Sequence, residues 1–402
     1  MEVKKNIVVM GAGYGGITAA LRLARLFRQH PEYQIHLIDR NPYHTLKTQL
    51  HEAAVRKAEV SIPIHRIIQR QNIIFHLGEV TRIDSTEHII HMGNRSLPFD
   101  YLVIALGSQV NFYNIPGLQE NSFPLQTLRD AQQIYDYINQ LCARAASEPV
   151  EERRRDMLRF VIGGGGLSGV EFAAELADHV AQCTRDYHVN PREVEIIIVE
   201  SGTRIVPKME ESFAARIHKK LLERGIKIIA GTKIVSRTPD TVVLSSGEVL
   251  GTKTVIWTGG IRIHELARES GMKIGQLGRI VVDEFLRVEG YPFIYAIGDN
   301  ALAMNPYTKE PVPAAAQFAL QQGRLVANNI YADIFGGVRK PYHPKVLGEV
   351  VSLGRHLAIG WLALPLSKKI TFVGFLGSLL KTAVLGKHIF LLRKESRKWI
   401  TY

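Results

Sequence analysis

Short apolar runs alternate with glycine turns and amphipathic stretches along this chain, a pattern that predicts parallel strands joined by helices. Ile7 to Met10 runs into glycines 11, 13, 15 and 16, after which Ile17 to Leu21 continues as helix. A second strand, Gln34 to Asp39, ends in a carboxylate 28 residues after Gly11. The pattern then returns. Phe160 to Ile162 leads into glycines 164, 166 and 169, and the run Glu195 to Glu200 again ends in a carboxylate.

The glycine spacing has a physical reason. Gly11 permits a tight turn, Gly13 lets a pyrophosphate approach the backbone, and Gly16 lets the helix pack closely on its strand. The helix N-terminus then offers free N–H groups and a positive dipole end to phosphates. Asp39 and Glu200 stand where a ribose would meet a carboxylate. A lone GxGxxG run is weak, but this one occurs twice, 153 residues apart. Two such sites imply two dinucleotides, an electron donor and an acceptor.

Between the motifs, residues 41–50 read as irregular and Leu50 to Val55 and Ile62 to Gln69 as short helices. Asn72 to Leu77 and Glu79 to Ile83 read as strands, with a hairpin at 88–94 whose His88 and His91 fit a solvent face better than a metal site. Phe99 to Ser108 predicts a buried strand ending in a glycine turn, and Thr254 to Gly260 is its counterpart. Leu128 to Ala145 predicts a helix and Glu148 to Asp156 an exposed charged stretch. Met209 to Glu223 (helix), Ile226 to Ile229 (strand) and Val242 to Gly247 (hairpin) repeat the order of the first half, so the halves read as a remote duplication. Gly278 to Asp283 and Tyr291 to Asp299 predict strands that return to the first half, with a helix following Asp299. A helix starting in Pro311 to Ala316 and running to Tyr331 carries Gln317 and Gln321 one turn apart, beside small alanines.

Composition sharpens this. The 402 residues are 46% apolar, enough for two or three domains, and nothing at Met1 to Lys5 marks export. The only cysteines are Cys142 and Cys183, with no CxxC, which excludes a zinc ribbon, a cysteine-held iron–sulfur cluster and a vicinal redox disulfide. Two free thiols are expected. The net charge of +12 is concentrated after Arg339, in a segment that is also apolar, so an anionic membrane surface fits it better than nucleic acid. Two uncharged eleven-residue stretches flank Lys368-Lys369, each too short to cross a bilayer. Phe372, Phe375, Leu376, Leu379, Leu380, Ala383 and Val384 follow helical spacing, Lys381, Lys387, Arg393, Lys394, Arg397 and Lys398 form a cationic rim, and Trp361 and Trp399 suit interface depth. Together they describe a monotopic anchor.

With no metal ligands and no cysteine pair, hydride transfer from a nicotinamide to a flavin is the economical chemistry. The first site suits FAD, because the chain returns to it at Asp299. Glu200 favours NADH over NADPH, an exclusion that nearby Arg204 weakens.

The two fingerprints, the Gly298-Asp299 strand end, Ala316-Gln317-Phe318-Ala319-Leu320-Gln321 and the basic apolar tail resemble the type II NADH:quinone oxidoreductases over essentially the whole chain. The resemblance implies an α/β fold of two Rossmann-like dinucleotide-binding domains of the disulfide-reductase kind, plus a C-terminal membrane-anchoring region. The expected divisions are 1–112 with 266–335 for FAD, 113–265 for NADH, and 336–402 for the membrane. It also implies non-covalent FAD, a homodimer at the cytoplasmic face of the membrane, no proton pumping, no metal, and a quinone acceptor, menaquinone in similar bacterial proteins.

Candidate FAD residues are Gly11, Gly13, Tyr14, Gly15, Gly16, Asp39, Arg40, Thr48, Val80, Ala105, Gly107, Asp299, Ala316 and Gln317. Candidate NADH residues are Gly164, Gly166, Leu167, Gly169, Glu171, Glu200, Thr258 and Gly259. The resemblance places Glu171 by the nicotinamide, Gln317 and Gln321 at the quinone head group, and Lys381 near the flavin–quinone region. Two departures touch flavin contacts: Ala105-Leu106-Gly107 replaces a more usual Ala-Thr-Gly, and Lys47-Thr48 occupies a loop often richer in Pro and Leu.

Three alternatives remain. A sulfide:quinone oxidoreductase would need cysteines flanking the flavin, and a soluble ferredoxin or rubredoxin reductase would have no use for the tail. A membrane-bound NADH sensor would need no flavin.

Overall fold

The computed structural model describes residues 4–69, 71–363 and 369–396. In chain order the main strands are β1 (Lys5–Met10), β2 (Tyr33–Asp39), β3 (Ile73–Leu77), β4 (Tyr101–Ile104), β5 (Phe123–Pro124), β6 (Arg159–Gly163), β7 (Glu195–Glu200), β8 (Ile226–Ala230), β9 (Thr254–Trp257) and β10 (Ile294–Ala296). A C-terminal group follows: β11 (Gly348–Ser352), β12 (Ala358–Ala363) and β13 (Lys369–Gly374). The helices that position the site are α1 (Tyr14–Leu26), α2 (Leu50–Arg56), α3 (Leu128–Ala145), α4 (Leu167–Asp186), α5 (Glu211–Glu223), α6 (Ala316–Phe335) and α7 (Phe375–Ser396).

Two five-stranded sheets share one design, β10-β4-β1-β2-β3 and β5-β9-β6-β7-β8, with every pairing parallel. Each fingerprint strand, β1 or β6, is central and covered on both faces. That is why Ile7 to Met10 and Phe160 to Ile162 are continuous apolar runs, all buried. Each half also carries a three-stranded antiparallel meander, at 82–98 and 234–251, so the duplication extends beyond the sheets. The start of α3 is fixed by a capping box between Thr127 and Asp130. Close approach of α1 and α6 needs two glycines, since a Cβ on Gly323 would lie 2.3 Å from the Gly15 carbonyl oxygen.

Several local expectations change. Tyr43–Thr45 is a strand paired with Ser61–Pro63, so residues 41–50 are not wholly irregular. The charged stretch before β6 is a helix at Glu151–Leu158. Asp299 sits in a single 3₁₀ turn, Gly298–Asn300, followed by a short strand rather than a helix. Pro311 and Pro313 precede α6, which begins at Ala316 and runs on to Phe335.

The tail differs most. β11, β12 and β13 form an antiparallel sheet, and Phe372 lies in its last strand rather than on a helix. From Phe375 the helix continues for 22 residues, and Phe375–Leu392 is long and apolar enough, by length and composition, to cross a membrane. The helix therefore runs on past the second uncharged block, through Lys381 and Lys387. Lys368, Arg397, Lys398 and Trp399 lie outside the described residues. Trp361 is on β12, with the Lys369 ammonium 4.7 Å from its ring.

Candidate functional site

Both fingerprint turns have the geometry their glycines predict. Gly11 has φ +96°, and a Cβ there would lie 2.4 Å from the Ala105 carbonyl oxygen; one on Gly16 would lie 1.8 Å from the Gly11 oxygen. In the second turn Gly164 has φ +108°, and a Cβ on Gly169 would lie 2.0 Å from the Gly164 oxygen. By contrast, a Cβ on Gly13 or Gly166 would meet nothing within 4 Å. Those two glycines are the N-caps of α1 and α4, and neither helix has a side-chain cap. Two uncapped N-termini beside open space can bind anions and would fit the phosphates of a dinucleotide.

The strand-end carboxylates are equivalent too. Asp39 Oδ2 accepts from the Ala12 N–H at 2.7 Å, and Glu200 Oε2 accepts from the Gly165 N–H at 2.6 Å. Glu200 Oε1 also accepts from the Gly202 N–H. Arg204 donates to the carbonyls of Pro207 and Met209, so its guanidinium is tied into its own loop.

Around the first turn, further candidates converge. Tyr14 Oη and Thr48 Oγ1 are 2.9 Å apart. Gly107 donates to Asn300 Oδ1, and Ser108 Oγ donates to Asp299 Oδ2 at 2.8 Å, which joins the ends of β4 and β10. Ala316 opens α6 nearby. Two candidates stand apart: Arg40 is exposed and pairs with Glu79, and Val80 is buried in the core under the first meander. Around the second turn, Thr258 Oγ1 donates toward the Gly163 and Gly164 carbonyls, Gly259 packs on the Trp257 ring, and Leu167 is exposed.

Gln317 and Gln321 do not project freely. Gln317 donates to the Gly348 carbonyl and accepts from the Leu347 N–H, while Gln321 does the same with Lys345 on both counts. The two amides clamp the strand-like segment 345–348, which leads into β11, against α6. Ala319 packs against Gly15 and Gly298 rather than facing a cleft.

The two halves and the tail meet in a partly buried charged cluster. From α4, Glu171 accepts the Ser352 N–H at 3.0 Å and lies 3.8 Å from His51 Nδ1 on α2. From α7, Lys381 donates to His51 Nε2 at 3.1 Å and pairs with Glu52 at 2.6 Å. An ammonium can only donate, so His51 is neutral, with its proton on Nδ1 toward Glu171. Arg56 links Glu52 to Glu175 at 3.0 and 3.1 Å, and Glu175 also accepts from Ser352 Oγ. Burial raises the Glu171 carboxyl to about 7, against the opposing pull of Lys381 and the Ser352 N–H. Burial likewise holds His51 well below its usual value.

Sequence reasoning found Glu171 and Lys381 but missed His51, Glu52, Arg56, Glu175 and Ser352. The available signal was the spacing of Glu52 to Arg56 and Glu171 to Glu175, each one helical turn apart. His51, Glu52 and Glu175 could together ligate a cation, but Lys381 and Arg56 already neutralise them. Cys142 and Cys183 are free and buried on α3 and α4, away from both turns.

A repeated parallel sheet with two fingerprint turns, each leading into an uncapped helix, defines a two-dinucleotide oxidoreductase, and residues 5–323 match the pyridine nucleotide-disulphide oxidoreductase family. Over 363 residues, 89% of this chain and 89% of the relative, the sequence is 31% identical to the type II NADH:quinone oxidoreductase of Staphylococcus aureus. The chain belongs to the type II NADH:quinone oxidoreductases. Its fold matches NDH2 from Plasmodium falciparum in complex with NADH, with TM-score 0.85 at 19% identity, covering 98% of this chain and 96% of that one. It also matches the sulfide:quinone oxidoreductase of Aquifex aeolicus, with TM-score 0.79 at 22% identity, covering 97% and 92%. These two likenesses concern the fold alone.

Proposed function

We propose that this oxidoreductase holds non-covalent FAD on the first fingerprint, takes NADH on the second, and reduces menaquinone at the membrane without pumping protons. The observation that carries this reading is the cluster of Glu171, His51 and Lys381, where α4 of the second half, α2 of the first and the C-terminal helix meet. A flavin, when bound, accepts hydride from the nicotinamide and passes an electron pair to the quinone.

The chain's own residues supply the rest. Gly13 and the bare N-terminus of α1 receive the FAD phosphates, Asp39 the ribose, and Asp299 with Gly107 the far side of that cleft. Gly166, Gly169 and Glu200 do the same for NADH, with Thr258 and Gly259 flooring the turn. Glu200 would accept the ribose 2′-hydroxyl and repel a 2′-phosphate, which favours NADH. With its carboxyl raised to about 7, Glu171 can hold or release a proton at working pH beside the nicotinamide. Lys381 keeps His51 neutral and oriented toward it. Gln317 and Gln321 border the quinone pocket by fixing segment 345–348, each amide retaining one N–H for a head group.

Helix α7 supports attachment to one leaflet. Its polar Lys381 and His388 face inward, while Phe375, Leu376, Leu379, Val384 and Phe390 are exposed. An exposed apolar face over a polar inner face suits lipid rather than water. The docking of this one apolar helix of the described residues along the body favours a monotopic attachment; the absence of pumping and the cytoplasmic face rest on the family resemblance. The domain divisions, the homodimer and menaquinone itself rest on the family resemblance.

The test is stopped-flow mixing of oxidised protein with NADH, then with a menaquinone or a ubiquinone analogue. The reading requires flavin bleaching by NADH and faster recovery with menaquinone; equal or faster recovery with ubiquinone overturns the quinone assignment alone.

A further inference from the structure

Lys47 lies in the cleft of the first fingerprint, beside Gly107. It opens the 3₁₀ turn Lys47–Gln49, between the short strand Tyr43–Thr45 and α2. The side chain is exposed to solvent, yet burial is the largest influence on its ammonium and lowers its pKa; Asp299 comes next and opposes that. The ammonium lies 3.7 Å from where a Cβ on Gly107 would stand, and among the described residues it makes no hydrogen bond or ion pair.

Strand order says which part of a bound dinucleotide this cation meets. Across the first sheet the order is β10-β4-β1-β2. Asp39, at the end of β2, marks the ribose of the adenosine, and the uncapped N-terminus of α1, following β1, marks the phosphates. The remaining end of the cofactor therefore extends over the ends of β4 and β10. Those ends are Gly107, beside which the Lys47 ammonium lies, and Asp299, the first of the charges that act on it. Asp299, Asp39 and Asp130 attract it, but among the described residues none of them forms an ion pair with it.

Resting on the assignment of FAD to this half, we propose that Lys47 sets how readily the bound flavin is reduced. Accepting an electron pair brings negative charge into the cleft, and an unpaired ammonium held there stabilises it. The residue is a tuning cation rather than a proton donor.

The experiment uses the purified holoenzyme, wild type, Lys47→Met and Lys47→Arg, and reads three quantities: FAD per chain, flavin midpoint potential against a reference dye, and affinity for sulfite. Sulfite is an anionic probe of positive charge near the flavin. In Lys47→Met the expected result is full FAD content and a reduction equilibrium at least tenfold less favourable, a fall of about 30 mV for a two-electron couple. Sulfite affinity should drop at least tenfold as well, with Lys47→Arg restoring both. Unchanged potential and sulfite affinity with FAD retained would overturn the proposal. So would loss of FAD with the potential of the remaining flavin unchanged, which would make Lys47 a phosphate anchor. Wild-type protein that binds no FAD at all would instead overturn the flavin reading on which this rests.

Discussion

The two halves carry the same turn, and they differ in what surrounds it. Gly11, Gly13 and Gly16 superimpose in role on Gly164, Gly166 and Gly169, and Asp39 and Glu200 grip the equivalent N–H. Around the first turn the chain returns three times. Asp299 joins Ser108 there, Gln322 accepts from the Gly298 N–H, and His388 of α7 reaches His44 Nε2 at 3.2 Å while His44 Nδ1 donates to the Ala12 carbonyl. Nothing comparable closes over the second turn among the described residues, where Leu167 and Ser168 stay exposed. On the proposed reading, enclosure suits a retained cofactor and openness an exchanging substrate.

The sharpest way to break this comparison is to spoil each turn separately. Gly16→Ala, whose methyl would overlap the Gly11 oxygen, should yield protein without flavin, as an absorbance ratio would show. Gly169→Ala should keep the flavin and lose its bleaching by NADH. If Gly169→Ala also lost flavin, the halves would not be independent sites.

Next in size is Glu200→Ala, which should raise the NADH KM about 10- to 100-fold by removing hydrogen bonds to a charged group. Steady-state kinetics with NADH and NADPH would check it, with the NADH preference narrowing.

Glu171 joins the halves, and its effect depends on pH. Its folded pKa of about 7 exceeds the ordinary 4.5, so the folded protein holds this proton to higher pH than the unfolded chain. Stability should therefore fall as pH rises from 4.5 to 7, by up to ~3 kcal/mol. Glu171→Gln should remove that part of the slope in denaturant melts, leaving a residue from Glu175, whose carboxyl burial also raises. The same variant should flatten the pH profile of NADH turnover near 7.

Gln317→Ala should raise the quinone KM about tenfold, since it frees segment 345–348, while flavin reduction by NADH stays fast. Slowed flavin reduction would place the two substrates wrongly. Smallest is the effect of Leu376→Ser with Phe390→Ser, on the exposed face of α7. Vesicle binding should weaken about tenfold or more, measured by co-sedimentation, with FAD content unchanged.

The sheets were legible in the sequence because parallel strands buried on both faces read as unbroken apolar runs, and because glycine spacing has few physical meanings. What escaped was set by distant pairing. Ala358 to Ala363 reads as one of several uncharged stretches until β11 and β13 flank it. The spacing of Gln317 and Gln321 shows that they share a helix face, but not that both also clamp segment 345–348, whose approach is set by distant pairing. His51 gave no signal of its own, since its partners come from α4 and α7. Phe372 followed helical spacing by chance, and the ladder with Gly360 placed it in a strand.

The most direct test of the division between retained cofactor and exchanging substrate is one anaerobic titration after gel filtration in buffer without nucleotides. The account predicts protein that elutes with one FAD and no NADH, bleaches with one equivalent of NADH, and recovers fully with a menaquinone analogue. Protein that elutes without flavin, or whose flavin NADH leaves unbleached, would contradict it.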